Sequence, residues 1–207
     1  SMLAATVWFL MQHGQVDKKF KDSMLVAALI TGIAAVHYFY MREQWTAGLG
    51  SPTELRYIDW ILTVPLMVVE FALLTGVGMR KLFWASVIML VTGYFGESGV
   101  TGMLDAQTWG AISGLAYFYI VYLIMFGEAK ALADKSSASV QRAHGILCKF
   151  VLIGWGIYPL GYMIGTDGWY DFVDGIGLNM DVVYNIGDAI NKIGFGLVIY
   201  SLAVSKD

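Results

Sequence analysis

Four residues in one apolar stretch are of types that hold and pass protons. In RYIDWILTVPLMVVEFALL, residues 56–74, Arg56, Asp59, Thr63 and Glu70 recur at i, i+3, i+7 and i+14. That spacing puts all four on roughly one face of a helix. Asp59 and Glu70 are eleven residues apart, about 16 Å along a helix axis at a rise of about 1.5 Å per residue. Placing a charge at the centre of a bilayer costs a few kcal/mol or more, so ionisable groups in such a run usually mark a pathway. Two carboxyls at different depths on one face suit a proton relay. Either one alone could instead be a structural carboxyl, paired to Arg56 or to backbone.

A second pair lies in the last apolar segment, YNIGDAINKIGFGLVIY (184–200), where Asp188 and Lys192 stand at i, i+4. At that spacing a carboxylate and an ammonium meet on one helix face. The pair is either a self-neutralising structural bridge or a reactive lysine with its counter-ion. Burial frees a lysine amine to attack a carbonyl, which would let Lys192 carry a covalent cofactor. His37, within GIAAVHYFYM (32–41), is either simply hydrogen-bonded or the partner of a carboxyl, since imidazole titrates near neutrality. Trp60, Tyr117, Trp155, Tyr158 and Tyr184 all fall in apolar segments, where such rings serve as core packing or as interfacial belts. In GWGIYPLGY (154–162), Pro159 predicts a helix kink beside two large rings. Cys148 has no second cysteine to pair with, and His13, His37 and His144 show no metal-ligand spacing.

The elements that must position these residues are legible from composition. The 207 residues are 57% hydrophobic and only 14% charged, with a formal net charge of −3. Soluble domains run near about 25% charged, so the chain reads as a membrane protein. No basic run suggests nucleic acid, and three prolines with no low-complexity linker predict one domain over 1–207. Six stretches approach the ~20 apolar residues of a spanning helix: about 23–41, 56–77, 81–96, 107–127, 146–165 and 181–204. The run SMLAATVWFLM (1–11) is too short to cross and lacks the basic region and cleavage site of a signal peptide. It reads as the second half of a first helix whose start is missing from this chain. The expectation is an all-α, seven-helix transmembrane bundle with a first helix truncated at its N-terminus.

Charge sets its orientation. Lys18, Lys19, Lys21, Arg80, Lys81, Lys130, Lys135, Arg142, Lys149 and Lys206, ten of the 13 Lys and Arg, fall in or beside alternate connections on one side. The opposite connections hold Arg42 and the acidic GTDGWYDFVDGIGLNMD (165–181). The positive-inside rule makes the first side cytoplasmic. The N-terminus is then outside and the C-terminus inside, in an inner (plasma) membrane.

Taken together, RYIDWILTVPLMVVE, GWGIYPLGY and DAINKIGFG (188–196) resemble the microbial rhodopsins, and their proteorhodopsin branch in particular. TGIAAVHYFYMR (31–42) is similar to that branch too, and the resemblance runs from about Ala4 to the C-terminus. It implies a light-driven outward proton pump, not an enzyme, with all-trans retinal bound as a protonated Schiff base on Lys192. Asp59 and Asp188 would be its counter-ions, with Asp59 also the proton acceptor. Arg56 would lie on their extracellular side, Thr63 in the middle of the functional triplet, and Glu70 would be the cytoplasmic proton donor. His37 would hydrogen-bond Asp59. Trp60, Met67, Trp155, Tyr158 and Pro159 would line the polyene, with Met67 at a colour-tuning position whose apolar residue looks like the green-absorbing type. Tyr117 stands where the family commonly has tryptophan. Gly110, in TWGAISGLAYFYI (108–120), aligns with a glycine that in some relatives opens a window for a carotenoid antenna; helix packing is the plainer role for it.

An anion at Asp59 disfavours chloride beside the Schiff base, and Glu70 can donate a proton where the glutamine of sodium-pumping relatives cannot. Protons and the bilayer are therefore the implied partners, with a homo-oligomer of five or six copies by resemblance. The main alternative is a sensory rhodopsin signalling to a partner; such relatives commonly lack the carboxyl donor. A transporter or channel without retinal is a third class.

Overall fold

The computed structural model describes residues 1–166, 168 and 180–205. Most of the acidic connection 165–181, and Lys206, lie outside the described residues. The described residues form nine α-helices: α1 (Met2–His13), α2 (Lys18–Thr46), α3 (Thr53–Thr75), α4 (Arg80–Ser98), α5 (Ala106–Met125), α6 (Glu128–Ala133), α7 (Ala138–Lys149), α8 (Ile157–Ile164) and α9 (Met180–Ala203). A π-turn at Phe150–Gly154 joins α7 to α8. Helices α5 and α6 make one long rod and α7, the π-turn and α8 another, so the nine helices act as seven rods. Five of these are long and apolar enough to cross a membrane.

The rods close into a ring in chain order. Helix α1 packs on α2, α2 on α3, α3 on α4, and α4 on α5. Helix α5 then meets α7 and α8, which meet α9, and α9 returns to α1 and α2. Apolar side chains fill the interior and also cover the outside, and a few ionisable ones are buried among them. Leu115, Phe118, Ile153, Ile186 and Ile190 face outward, while Arg56, Asp59, Glu70, Asp188 and Lys192 are buried. An apolar outer surface with the ionisable groups turned inward is the arrangement that lipid solvates.

The local reasons for these elements are mostly at their ends. Asp105 caps α5 by accepting from the Thr108 N–H at 2.6 Å, and these hydrogen bonds hold its carboxyl below the usual carboxylate range. Ser137 caps α7 through the Val140 N–H. Helix α3 ends at Gly76, whose φ of 77° is a left-handed cap. Helices α2 and α7 both begin earlier than the apolar segments at 23 and 146 predict, at Lys18 and Ala138. Helical hydrogen bonding continues past the apolar layer, so hydropathy marks the layer rather than the helix.

One close approach positions α9. A Cβ on Gly196 would lie 2.4 Å from Phe9 Cζ and 3.0 Å from Ala27 Cβ, so this glycine lets α9 seat against α1 and α2 at once. Phe9 is fully buried, and Thr6 donates to Thr31 across the α1–α2 contact at 3.0 Å. Gly196→Val should therefore lower stability by about 1–3 kcal/mol through overpacking, read as a lower unfolding temperature in detergent. An unchanged temperature would mean that Phe9 swings aside freely.

Candidate functional site

Helices α3 and α9 bring their ionisable residues together at the centre of the ring. The Lys192 ammonium donates to Asp59 Oδ2 on α3 and, at 2.6 Å, to Asp188 Oδ2 one turn before it on α9. All three side chains are essentially inaccessible to solvent. The i, i+4 spacing pairs Lys192 with Asp188 and the resemblance adds Asp59; the fold brings Asp59 of α3 to Lys192 across the centre of the ring. Two carboxylates then face one cation. Such a cluster is weakly stabilising as a whole but costly to break, because a lone buried charge has nothing to replace water.

Each carboxylate is held differently. Asp188 Oδ1 accepts from the Tyr158 hydroxyl at 2.8 Å, and Tyr184 in turn donates to the Tyr158 carbonyl at 3.3 Å. Asp59 Oδ1 has no hydrogen-bond partner among the described residues. Thr63 spends its hydroxyl on the Asp59 backbone carbonyl at 2.8 Å. His37 stands close to Asp59 but does not bond it: Nδ1 is 3.9 Å from Asp59 Oδ1 and 2.9 Å from the Ile33 carbonyl. The imidazole thus has a local backbone acceptor on its own helix, while one Asp59 oxygen has no donor among the described residues.

Toward one end of α3 lies Arg56, fully buried. It forms an ion pair with Asp181 at the start of α9, lies 3.7 Å from Glu97 Oε1 at the end of α4, and stacks 4.9 Å from the Tyr184 ring. Glu97 also accepts from Tyr57 at 2.9 Å and Thr53 at 3.3 Å. Arg56 is therefore not the partner of Asp59; two outer carboxylates hold it. Sequence reasoning missed Glu97, Tyr57 and the specific role of Asp181. The available signal was that a buried arginine demands anions at its own depth.

Toward the other end, Glu70 is buried with neither carboxyl oxygen hydrogen-bonded among the described residues. Ser23 of α2, itself buried, is the polar side chain beside it. Arg56, Asp59, Thr63 and Glu70 all line the buried side of α3.

A cavity of about 680 Å³ opens between α3, α4, α5, α8 and α9. Trp60, Tyr117, Trp155, Tyr158, Pro159 and Gly110 line it, and Met67 lies outside the lining in the packed core. This is the size and chemistry of a pocket for a mainly apolar ligand. Its inner wall includes Tyr158, whose hydroxyl bonds Asp188, so the pocket backs directly onto the lysine cluster. The residues present fit a long apolar aldehyde joined to Lys192.

Comparison with known proteins follows the same lines. The family model described as bacteriorhodopsin-like protein matches residues 1–206. The chain is 41% identical to the green-light absorbing proteorhodopsin of Gamma-proteobacterium EBAC31A08, covering all of this chain and 83% of that one. It is 42% identical to the blue-light absorbing proteorhodopsin of Gamma-proteobacterium Hot 75m4, covering 99% and 82%. Among solved structures, it superposes with a TM-score of 0.83 on xanthorhodopsin, described as a light-driven ion pump with dual chromophore, at 30% identity over 98% of this chain and 87% of that one.

Proposed function

The chain belongs to the bacteriorhodopsin-like family, and from that premise we propose that it is a light-driven pump carrying protons outward across a plasma membrane. The observation that carries the reading is the placement of Lys192 between Asp59 and Asp188, with a second isolated carboxyl, Glu70, further along the buried side of α3. All-trans retinal on Lys192 as a protonated Schiff base would supply light absorption and an isomerisation that alters the proton affinity and access of the lysine nitrogen.

The protein groups divide the remaining work. Asp59, ionised beside the cation in the dark, is the acceptor of the proton leaving Lys192 Nζ; its unpartnered oxygen favours it over Asp188. Asp188, steadied by Tyr158, is the charge that stays. Glu70 holds a proton in its largely apolar setting, because an ionised carboxylate with only the Ser23 hydroxyl beside it is costly to bury, and returns it to Lys192 Nζ from the cytoplasmic side. Arg56, held between Glu97 and Asp181, separates the acceptor from the outside. The direction of transport comes from the order in which these groups change protonation.

The same reading places the N-terminus outside and the C-terminus in the cytoplasm, because the lysines and arginines cluster in and beside the α1–α2, α3–α4 and α6–α7 connections. It takes residues 1–207 as one retinal-binding transmembrane domain that assembles in rings of five or six. Gly110, on the cavity wall, supports a window for a second, carotenoid chromophore.

The test is external pH in illuminated cells expressing the protein with retinal. Acidification abolished by a protonophore establishes outward pumping; a coloured protein without any pH change points to the sensory reading. For the donor, Glu70→Gln should slow the late photocycle by roughly a hundredfold and leave the colour nearly unchanged. Flash photolysis checks it, and native recovery kinetics would remove Glu70 from the relay.

A further inference from the structure

A buried amide next to Lys192 has no part in the mechanism above. Asn191 is 3% exposed, and its Nδ2 donates to the Gly154 carbonyl at 2.9 Å and toward the Tyr158 hydroxyl at 3.4 Å. The Gly154 carbonyl needs a donor for a traceable reason. Pro159 has no N–H, so the Trp155 carbonyl loses its ordinary partner four residues on. The Tyr158 N–H turns to that carbonyl at 3.1 Å, and Gly154, its partner in a regular helix, is left for another donor. One residue earlier the register has already slipped into the π-turn, where the Trp155 N–H bonds the Phe150 carbonyl at 3.0 Å.

Neighbouring rods cover the carbonyls of this break from both sides. From α5, the Tyr117 hydroxyl reaches the Leu152 carbonyl at 2.8 Å and the Val151 carbonyl at 3.1 Å. From α9, Asn191 covers Gly154. The fit on the α9 side is tight: a Cβ on Gly154 would stand 2.1 Å from Asn191 Oδ1, so only glycine admits the amide.

We infer that Asn191 is a positioning residue, tying the backbone beside Lys192 to the α7–α8 break and thereby fixing Tyr158 on Asp188. The amide grips both the break and the Tyr158 hydroxyl, and that hydroxyl donates to the counter-ion. Tyr117 is its counterpart on the opposite side, a job that an indole in its place would do with different reach. The consequence for the chromophore rests on the retinal reading above; the consequence for the backbone does not.

The experiment is hydrogen–deuterium exchange over residues 150–160 in protein prepared without retinal, comparing the native chain with Asn191→Leu and Tyr158→Phe. Asn191→Leu keeps the volume but removes the donor, and should speed exchange at Trp155 to Leu160 by roughly tenfold. Tyr158→Phe leaves the Asn191–Gly154 bond in place and should exchange like the native chain. With retinal added, both variants should shift the visible absorption, since each loosens the support of Asp188. Native exchange rates in a folded Asn191→Leu protein overturn the inference even if the protein is coloured and pumps. Faster exchange in Asn191→Leu, with a native chain that itself never colours, supports it and sinks the retinal reading instead. Should Asn191→Leu fail to fold, solid-state NMR of the unmutated protein decides: the Asn191 side-chain nitrogen and Gly154 carbonyl carbon must show the close coupling of a hydrogen bond, and its absence overturns the inference.

Discussion

Lys192→Ala should leave the protein colourless after addition of all-trans retinal, and Lys192→Arg should do the same while keeping most of the stability that alanine loses. The two variants separate the lysine's two properties. Alanine removes both nucleophile and cation, leaving Asp59 and Asp188 facing each other in a site that solvent does not reach. Removing one member of such a buried cluster costs about 3–5 kcal/mol, with relief only where a proton replaces the missing ammonium. Stability of Lys192→Ala should therefore recover as the pH falls and a carboxyl is protonated. Arginine keeps a cation for both carboxylates, although its bulk strains the site, and its guanidinium does not deprotonate to attack an aldehyde. Visible absorption and thermal unfolding of the retinal-free proteins read the two effects. Colour in Lys192→Arg would put the attachment on another lysine and dismantle the site as described.

The parts of this site that sequence makes legible are those confined to one helix. Arg56, Asp59, Thr63 and Glu70 announce themselves because an apolar segment has few reasons to carry charge, and a 3.6-residue period assigns them to one face. Asp188 and Lys192 show their pairing for the same reason. What a single helix cannot reveal is the contact between rods. Spacing pairs Lys192 with Asp188 and is silent on Asp59, which only the resemblance supplies; the closed ring of rods is what sets α3 and α9 face to face across its centre. Glu97 reads as a residue of the loop that follows α4, and Asp181 as one acid among several in 165–181; each is recognisable as an Arg56 partner only once the ends of α4 and α9 converge on α3. The π-turn is a similar case. Pro159 foretells a break, but its register depends on donors from α5 and α9, which no local pattern contains. The position of His37 was legible, whereas its bond was not: the choice between Ile33 and Asp59 turns on about 1 Å of separation.

The expected result for Asp59→Asn is loss of light-driven acidification together with a shift of the absorption band to longer wavelength. Both follow from one change. An amide in this position keeps the shape of the carboxyl but cannot take a proton, so in the proposed cycle the lysine nitrogen would lose its acceptor. The same substitution removes one of the two negative charges facing the cation in the dark. A cation held less tightly lets positive charge spread along the polyene, which narrows the gap between ground and excited states. Acid should reproduce the colour change in the native protein, because protonating Asp59 neutralises the same charge, and pumping should fail over the same pH range. Asp188→Asn makes the informative control. It also lowers the charge beside Lys192, yet it leaves Asp59 able to accept, so some transport should survive if the cluster folds. Spectral titration and light-driven pH change in both variants decide the assignment. If Asp59→Asn pumps and Asp188→Asn does not, the acceptor lies on α9, and the free oxygen of Asp59 is a structural detail rather than the place where the proton lands.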